Sequence, residues 1–180
     1  MSHNPTRFSV TSDSYVRASR EDDITHLARN MREADRAEIM AAGHYEPWEA
    51  LTDGYRHSDQ PWTYVVRGKP AAMFGVCRFD QGYPRHGIIW LLGTSEATRY
   101  PLAFMRHAKD WLKRVACGYE AVGNYVDERN QTHVRFLRAL GFQFGPPEPY
   151  GADKLPFIPF SKILNTCATP SQRSRPSPPE

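Results

Sequence analysis

Ile88-Ile89-Trp90-Leu91-Leu92 is apolar at five consecutive positions, and this run constrains the fold more than any other part of the chain. A strand with one wet face alternates apolar and polar residues, so an unbroken run predicts a strand covered on both faces, at the centre of a sheet. The flanking segments supply that cover. Before the run, Trp62 to Arg67 and Ala71 to Phe79 are β-rich and are joined by Gly68-Lys69-Pro70, which predicts an antiparallel hairpin. After it, Pro101 opens the longest helical pattern. Leu102, Met105, Ala108, Trp111, Leu112 and Val115 lie on one face, and Arg106, Lys109, Asp110, Lys113 and Arg114 on the other. Gly118 stops it.

The rest of the chain fills in around this unit. Tyr15-Val16-Arg17 makes a short extended start, and Ser19-Arg20-Glu21-Asp22 carries a hydroxyl and an acid able to satisfy free helix N–H groups. Ile24, Leu27, Ala28 and Met31 then form an apolar stripe that Ala34, Ala37 and Met40 extend to Gly43, as one helix or as two with a break near Glu33. Pro47 suits the first position of a short helix with Trp48, Leu51 and Tyr55 on one face. Asp80 to Gly87 reads as a polar loop and Ala121 to Val126 as a strand. Asn130 caps a helix whose apolar face is Val134, Leu137 and Leu140, ending at Gly141. Phe142 to Phe144 and Leu155 to Phe160 are the last strands, separated by the Pro- and Gly-rich loop Gly145 to Gly151.

This is one α/β (α+β) domain over residues 15–164. It has a central mixed, mostly antiparallel sheet of about six or seven strands flanked by helices, an N-terminal extension over residues 1–14 and a disordered Pro/Ser-rich tail over residues 165–180. A length of 180 residues suits one core better than two. The net charge is only +3, with 23 basic residues spread among 20 acidic ones, so no nucleic-acid footprint stands out. Cys77, Cys117 and Cys167 have no C-x-x-C spacing, and their odd number argues for a reducing compartment. The seven histidines show no metal-binding spacing, and no metal is expected. Residues 1–10 carry no apolar export signal. The run Ile88 to Leu92 falls far short of the roughly 20 residues that cross a bilayer, so neither export nor a membrane anchor is expected.

The element order, together with Asn130-Gln-Thr-His-Val-Arg-Phe-Leu-Arg-Ala-Leu-Gly-Phe142, resembles the GNAT superfamily of acyl-CoA N-acyltransferases over about Tyr15 to Phe160. That resemblance implies acetyl-CoA or CoA as ligand, bound in a V between the fourth and fifth strands. Trp90, Leu91, Leu92 and Thr94 would line one side, and Asn124, Tyr125 and Asn130 the other. The pyrophosphate is expected at the turn before the long helix. The family's Gln/Arg-x-x-Gly-x-Gly/Ala turn is replaced here by Gly93-Thr-Ser-Glu-Ala-Thr-Arg-Tyr-Pro101, where a side chain stands at positions that need Gly and Glu96 adds like charge. Thr94, Ser95, Thr98 and Arg99 are the substitute anion contacts. The family's Tyr, which protonates the leaving thiolate, is replaced by Leu137. Tyr125, as the displaced acid, and Asn130 are the catalytic candidates, and Glu120, Asp127, Glu128 and His133 are remote candidates for a base.

A narrower resemblance, to GNAT-like internal virion proteins of short-tailed bacteriophages, is carried by Val16-Arg-Ala-Ser-Arg-Glu-Asp22, Ala34-Asp35-Arg36, Phe74-Gly75-Val76, Trp90-Leu-Leu-Gly-Thr94, Asn124-Tyr-Val-Asp127 and Pro149-Tyr-Gly151. It implies a virion-associated structural or interaction module with degenerate acetyltransferase motifs, partnered by other virion proteins and found in the infected host's cytoplasm and the virion. The alternative is an active acetyl-CoA-dependent N-acetyltransferase with a rebuilt site. A third reading is a binder of a host protein, which an exposed Trp48 or Trp62 would favour.

Overall fold

The computed structural model describes residues 8–11, 14–79, 85–99 and 101–164. The expected C-terminal tail and Cys167 lie outside them. The elements run β1 (Phe8–Thr11), β2 (Ser14–Ala18), α1 (Glu21–Asn30), α2 (Glu33–Gly43), α3 (Pro47–His57), β3 (Trp62–Val66), β4 (Lys69–Arg78), β5 (His86–Gly93), α4 (Ser95–Thr98), α5 (Pro101–Val115), β6 (Ala121–Asp127), α6 (Gln131–Ala139), β7 (Gln143–Phe144), β8 (Glu148–Tyr150) and β9 (Leu155–Ile163). Helix starts follow side-chain chemistry. Asp23 accepts the Arg20 N–H at 2.9 Å at the start of α1, Pro47 opens α3, and Asn130 caps α6.

Among the described residues nine strands form one sheet in the order β1-β2-β3-β4-β5-β6-β9-β7, with β8 also pairing β9. Every pairing is antiparallel except β5 with β6. The count exceeds the expected six or seven because β1 lies in the stretch read as an extension and β8 in the Pro- and Gly-rich loop. Both are short edge pairings with little apolar pattern of their own. One face of the sheet packs under α1 and α3 through Ile24, Leu27, Met31, Leu51 and Met73. The other packs under α5 and α6 through Ala108, Leu112, Val122, Val126, Val134 and Leu137, and through an aromatic group of Tyr64, Phe74, Phe104 and Trp111.

The stripe expected on the second helix is on the wrong face. Ala34, Ala37 and Met40 are exposed, whereas Asp35 and Ala41 are buried. The helix breaks at Arg32, which resets its phase. Positions 35 and 38 thereby continue the inward stripe from Met31, and both are carboxylates.

The central strand also differs from its expected burial. β5 pairs with β4 along its whole length, but its parallel ladder to β6 covers only His86–Ala121, Gly87–Val122 and Ile88–Gly123. Beyond Ile88 the two strands part. The apolar run is therefore only half-buried, and Ile88 is 38 % exposed. Its side chains wall a wedge instead of filling a core.

Candidate functional site

Alternation along β5 decides which backbone groups face the wedge. The Ile89 carbonyl accepts from Asn124 Nδ2 at 2.9 Å across the apex, and the Gly93 N–H donates to Asp35 Oδ2 at 2.9 Å at the far end of the strand. Gly93 also accepts from the Arg32 N–H at 3.0 Å. Residues 89 and 93 thus both turn their peptide groups away from β4, and the two-residue period of a strand turns Leu91 the same way. With the β6 ladder ended at Ile88, no strand stands opposite the Leu91 N–H and C=O.

Side chains at 88, 90 and 92 point to the α1–α3 face, and those at 89 and 91 to the α5–α6 face. The cavity in the wedge, about 460 Å³, reaches both. Trp90 is seated by Gly54, where an added Cβ would lie 2.6 Å from the indole, and its N–H donates to Ser58 Oγ at 2.9 Å. On the α2 side the cavity is lined by Glu38, Ile39, Ala42 and Tyr45, and across from them by Tyr125, His133 and Tyr150. The β8–β9 turn closes this half. Gly151, at φ 72°, nests against the Ala41 and Ala42 backbone, where any Cβ would collide, and Asp153 meets His44 Nε2 at 2.8 Å.

A polar group sits at the floor. Asn130 Nδ2 donates to Glu38 Oε2 at 2.7 Å and to Asp35 Oδ1 at 3.4 Å, and Arg32 pairs with Asp35 at 2.6 Å. His133 is 9 % exposed, and its Nδ1 has no hydrogen-bond partner, with Glu38 Oε1 3.9 Å away. A buried, unpaired ring nitrogen beside a carboxylate is an exception among buried polar groups. Opposite, the Tyr125 hydroxyl donates to Glu148 Oε1 at 2.8 Å, and its ring stacks on Tyr150 at 4.0 Å. The carboxylate bond, aided by partial desolvation, raises the phenol's pKa above its ordinary value, so it stays protonated.

Of the residues expected to bind cofactor, Trp90, Leu91, Leu92 and Asn124 line this cavity together with Tyr125. Thr94, Ser95 and Arg99 do not; they border a separate hollow of about 420 Å³ with Asn30 and Lys69. Thr94 Oγ1 bonds the Ala71 carbonyl at 3.2 Å, and Arg99 pairs with Glu96 at 3.0 Å. Asn130 is buried within its network behind Glu38. Among the candidate bases, Glu120 pairs with Arg85 and Asp127 with Arg129, while His133 faces the cavity. Leu137 is buried and offers only methyl groups. Glu38 was missed. The readable trace was a pair of acids, Asp35 and Glu38, continuing an apolar stripe. Cys77 is pushed up by burial, which opposes a nucleophilic role. No group of His, Cys, Asp and Glu among the described residues could hold a metal.

The fold as a whole is similar to solved structures. The chain matches ribosomal-protein-S5-alanine acetyltransferase from Vibrio fischeri at 18 % identity and TM-score 0.60, covering 89 % of this chain and 97 % of that one. The chain has the GNAT fold. Ard1 from Thermoplasma volcanium matches at 18 % identity and TM-score 0.63, over 84 % and 98 % of the two chains. Spermidine N-acetyltransferase from Vibrio cholerae, solved with CoA and spermine, matches at 12 % and 0.59, over 85 % and 96 %. No family model and no curated protein matches the sequence. These GNAT likenesses correct the expectation of a virion-associated structural module. Two of the three are acetyltransferases by name, and none is a phage protein. A missing glycine turn and a Leu at position 137 leave the wedge and its polar floor in place. No described helix is long and apolar enough to cross a membrane.

Proposed function

We propose that this protein is an acetyl-CoA-dependent N-acetyltransferase. The observation that carries the reading is the wedge itself, with the free peptide group of Leu91 on one wall and an unpartnered His133 nitrogen at the floor. A pantetheine arm needs amide partners and apolar walls, and Leu91 with Ile89, Trp90 and Asn124 provides both. Bound there, acetyl-CoA would supply a thioester carbonyl for attack by an amine.

The chain's own groups cover the proton traffic. His133 takes the proton that the amine gives up as the C–N bond forms, and Glu38 steadies the resulting imidazolium. Tyr125 delivers a proton to the sulfur as the C–S bond breaks. The Glu148 carboxylate keeps its phenol protonated until the hydroxyl turns from that bond to the sulfur. Asn130 holds Glu38 in place without touching substrate.

Calorimetric titration with CoA and acetyl-CoA tests the reading, followed by a transfer assay over a panel of amines. One-to-one binding at micromolar concentration, with release of free thiol on adding an amine, is the expected result. No heat up to millimolar ligand would overturn it.

A further inference from the structure

The acceptor half of the cleft carries carboxylates at both ends and rings and methyl groups between. At the floor Glu38 is 14 % exposed, beside the unpartnered Nδ1 of His133. At the other end the Asp53 carboxylate is 70 % exposed and lies 3.0 Å from His57 Nδ1, an exposed partner that a second ammonium would compete with, and Tyr45 on the same lining is 51 % exposed. Among the described residues no Lys or Arg lines the cavity, although the chain has 23 of them. A cation is favoured along its whole length, first by charge and then by ring faces.

The walls between the ends distinguish one class of amine from another. A peptide brings an N–H and a C=O with every residue, and each must find a partner when desolvated. The side chains of Ile39, Ala42 and Ile88 offer none, the Trp90 N–H already donates to Ser58 and the Tyr125 hydroxyl to Glu148, so few partners besides the Tyr45 and Tyr150 hydroxyls remain along this stretch. A methylene stem asks for nothing but apolar contact.

We propose that the acceptor is a linear alkyl diamine. Its reactive primary amine lies at Glu38 and His133, its stem runs along Ile88 and Trp90, and its second ammonium sits at the other end between Asp53 and the Tyr45 ring. This assignment rests on the acetyltransferase reading for its reactive end. The distal end stands on charge and packing alone.

Calorimetry of the full chain with α,ω-diamines of increasing length, each against the monoamine of equal length, tests it. At the matching length the diamine binds about three- to tenfold more tightly, the worth of one exposed ion pair plus a ring contact. Asp53→Asn removes that advantage and leaves the monoamine unchanged. Equal affinity for the two at every length overturns the proposal, as does transfer to a free peptide N-terminus with none to any diamine, an outcome that leaves the enzyme standing. Diamine binding that depends on Asp53 without acyl transfer supports the diamine site and removes the enzyme reading.

Discussion

Asn130 Nδ2 donates to Glu38 Oε2 at 2.7 Å, so the residue that caps α6 also fixes the carboxylate that α2 presents at the floor of the cleft. Two elements far apart in sequence meet through one amide. Asn130→Ala removes the cap and leaves the buried Asp35 and the half-buried Glu38 short of a donor, and is expected to cost about 2 to 3 kcal/mol in urea unfolding. Asn130→Asp sets a third carboxylate beside Asp35 and Glu38. Its deficit should be larger at pH 8 than at pH 5, because like charges must ionise together at the higher pH.

Removal of the base should be specific and chemically reversible. His133→Ala is expected to lower kcat by about a hundredfold or more, with part of the loss restored by added imidazole. Glu38→Gln keeps the shape and should lower kcat with less effect on acceptor KM. A fall in both variants that tracks their thermal unfolding, with no imidazole rescue, would reduce the pair to a packing role.

Tyr125→Phe preserves the stack on Tyr150 and removes only the proton. The expected loss is about ten- to a hundredfold in kcat. Glu148→Gln tests the same group from outside. The carboxylate raises the phenol's pKa, so the neutral amide lets it fall back toward the ordinary value. The alkaline limb of the pH–rate profile should then move to lower pH. An unmoved limb would mean that another group donates.

The backbone contribution of Leu91 can be isolated by proline. Its N–H points away from β4, so Leu91→Pro deletes the wedge donor while sparing the β4–β5 ladder. CoA affinity is expected to drop about tenfold or more, whereas Leu91→Val, which keeps the N–H, stays near the parent. Equal affinity in the two variants would exclude that peptide group from the site.

Asp23 sets a pH limit on stability. Although burial opposes its charge, the two bonds from Arg17, both 2.7 Å, with those from the Arg20 N–H and Thr63, hold its pKa below the ordinary carboxylate range. A depressed native pKa stabilises above the unfolded value, near 4, and that contribution fades as pH falls through the lower native value. Asp23→Asn should therefore cost about 2 to 3 kcal/mol at pH 7, and the gap from the parent should narrow in acid.

The sheet was readable where apolar period and turn residues agreed. Trp62 to Arg67, Ala71 to Phe79 and the helix from Pro101 fall close to β3, β4 and α5 because each carries a sustained apolar pattern with a Gly or Pro beside it. The candidate site was readable only in part. Trp90 to Leu92 looked like core because an apolar cavity wall and a packed interior have the same composition. What separates them is where β6 leaves β5, a long-range property. Glu38 stayed hidden because three alanine and methionine positions suggested the wrong helix phase, and only the turn at Arg32 corrects it.

The wedge has a thermodynamic corollary. Its walls come from both halves of the sheet, so it exists only in the native state, and any molecule that enters it makes unfolding harder. At a hundred times its dissociation constant such a ligand adds about 2.7 kcal/mol, a rise of roughly 5 to 10 °C in Tm for a domain of this size. Thermal melting can therefore rank acyl donors and amines before any turnover is seen.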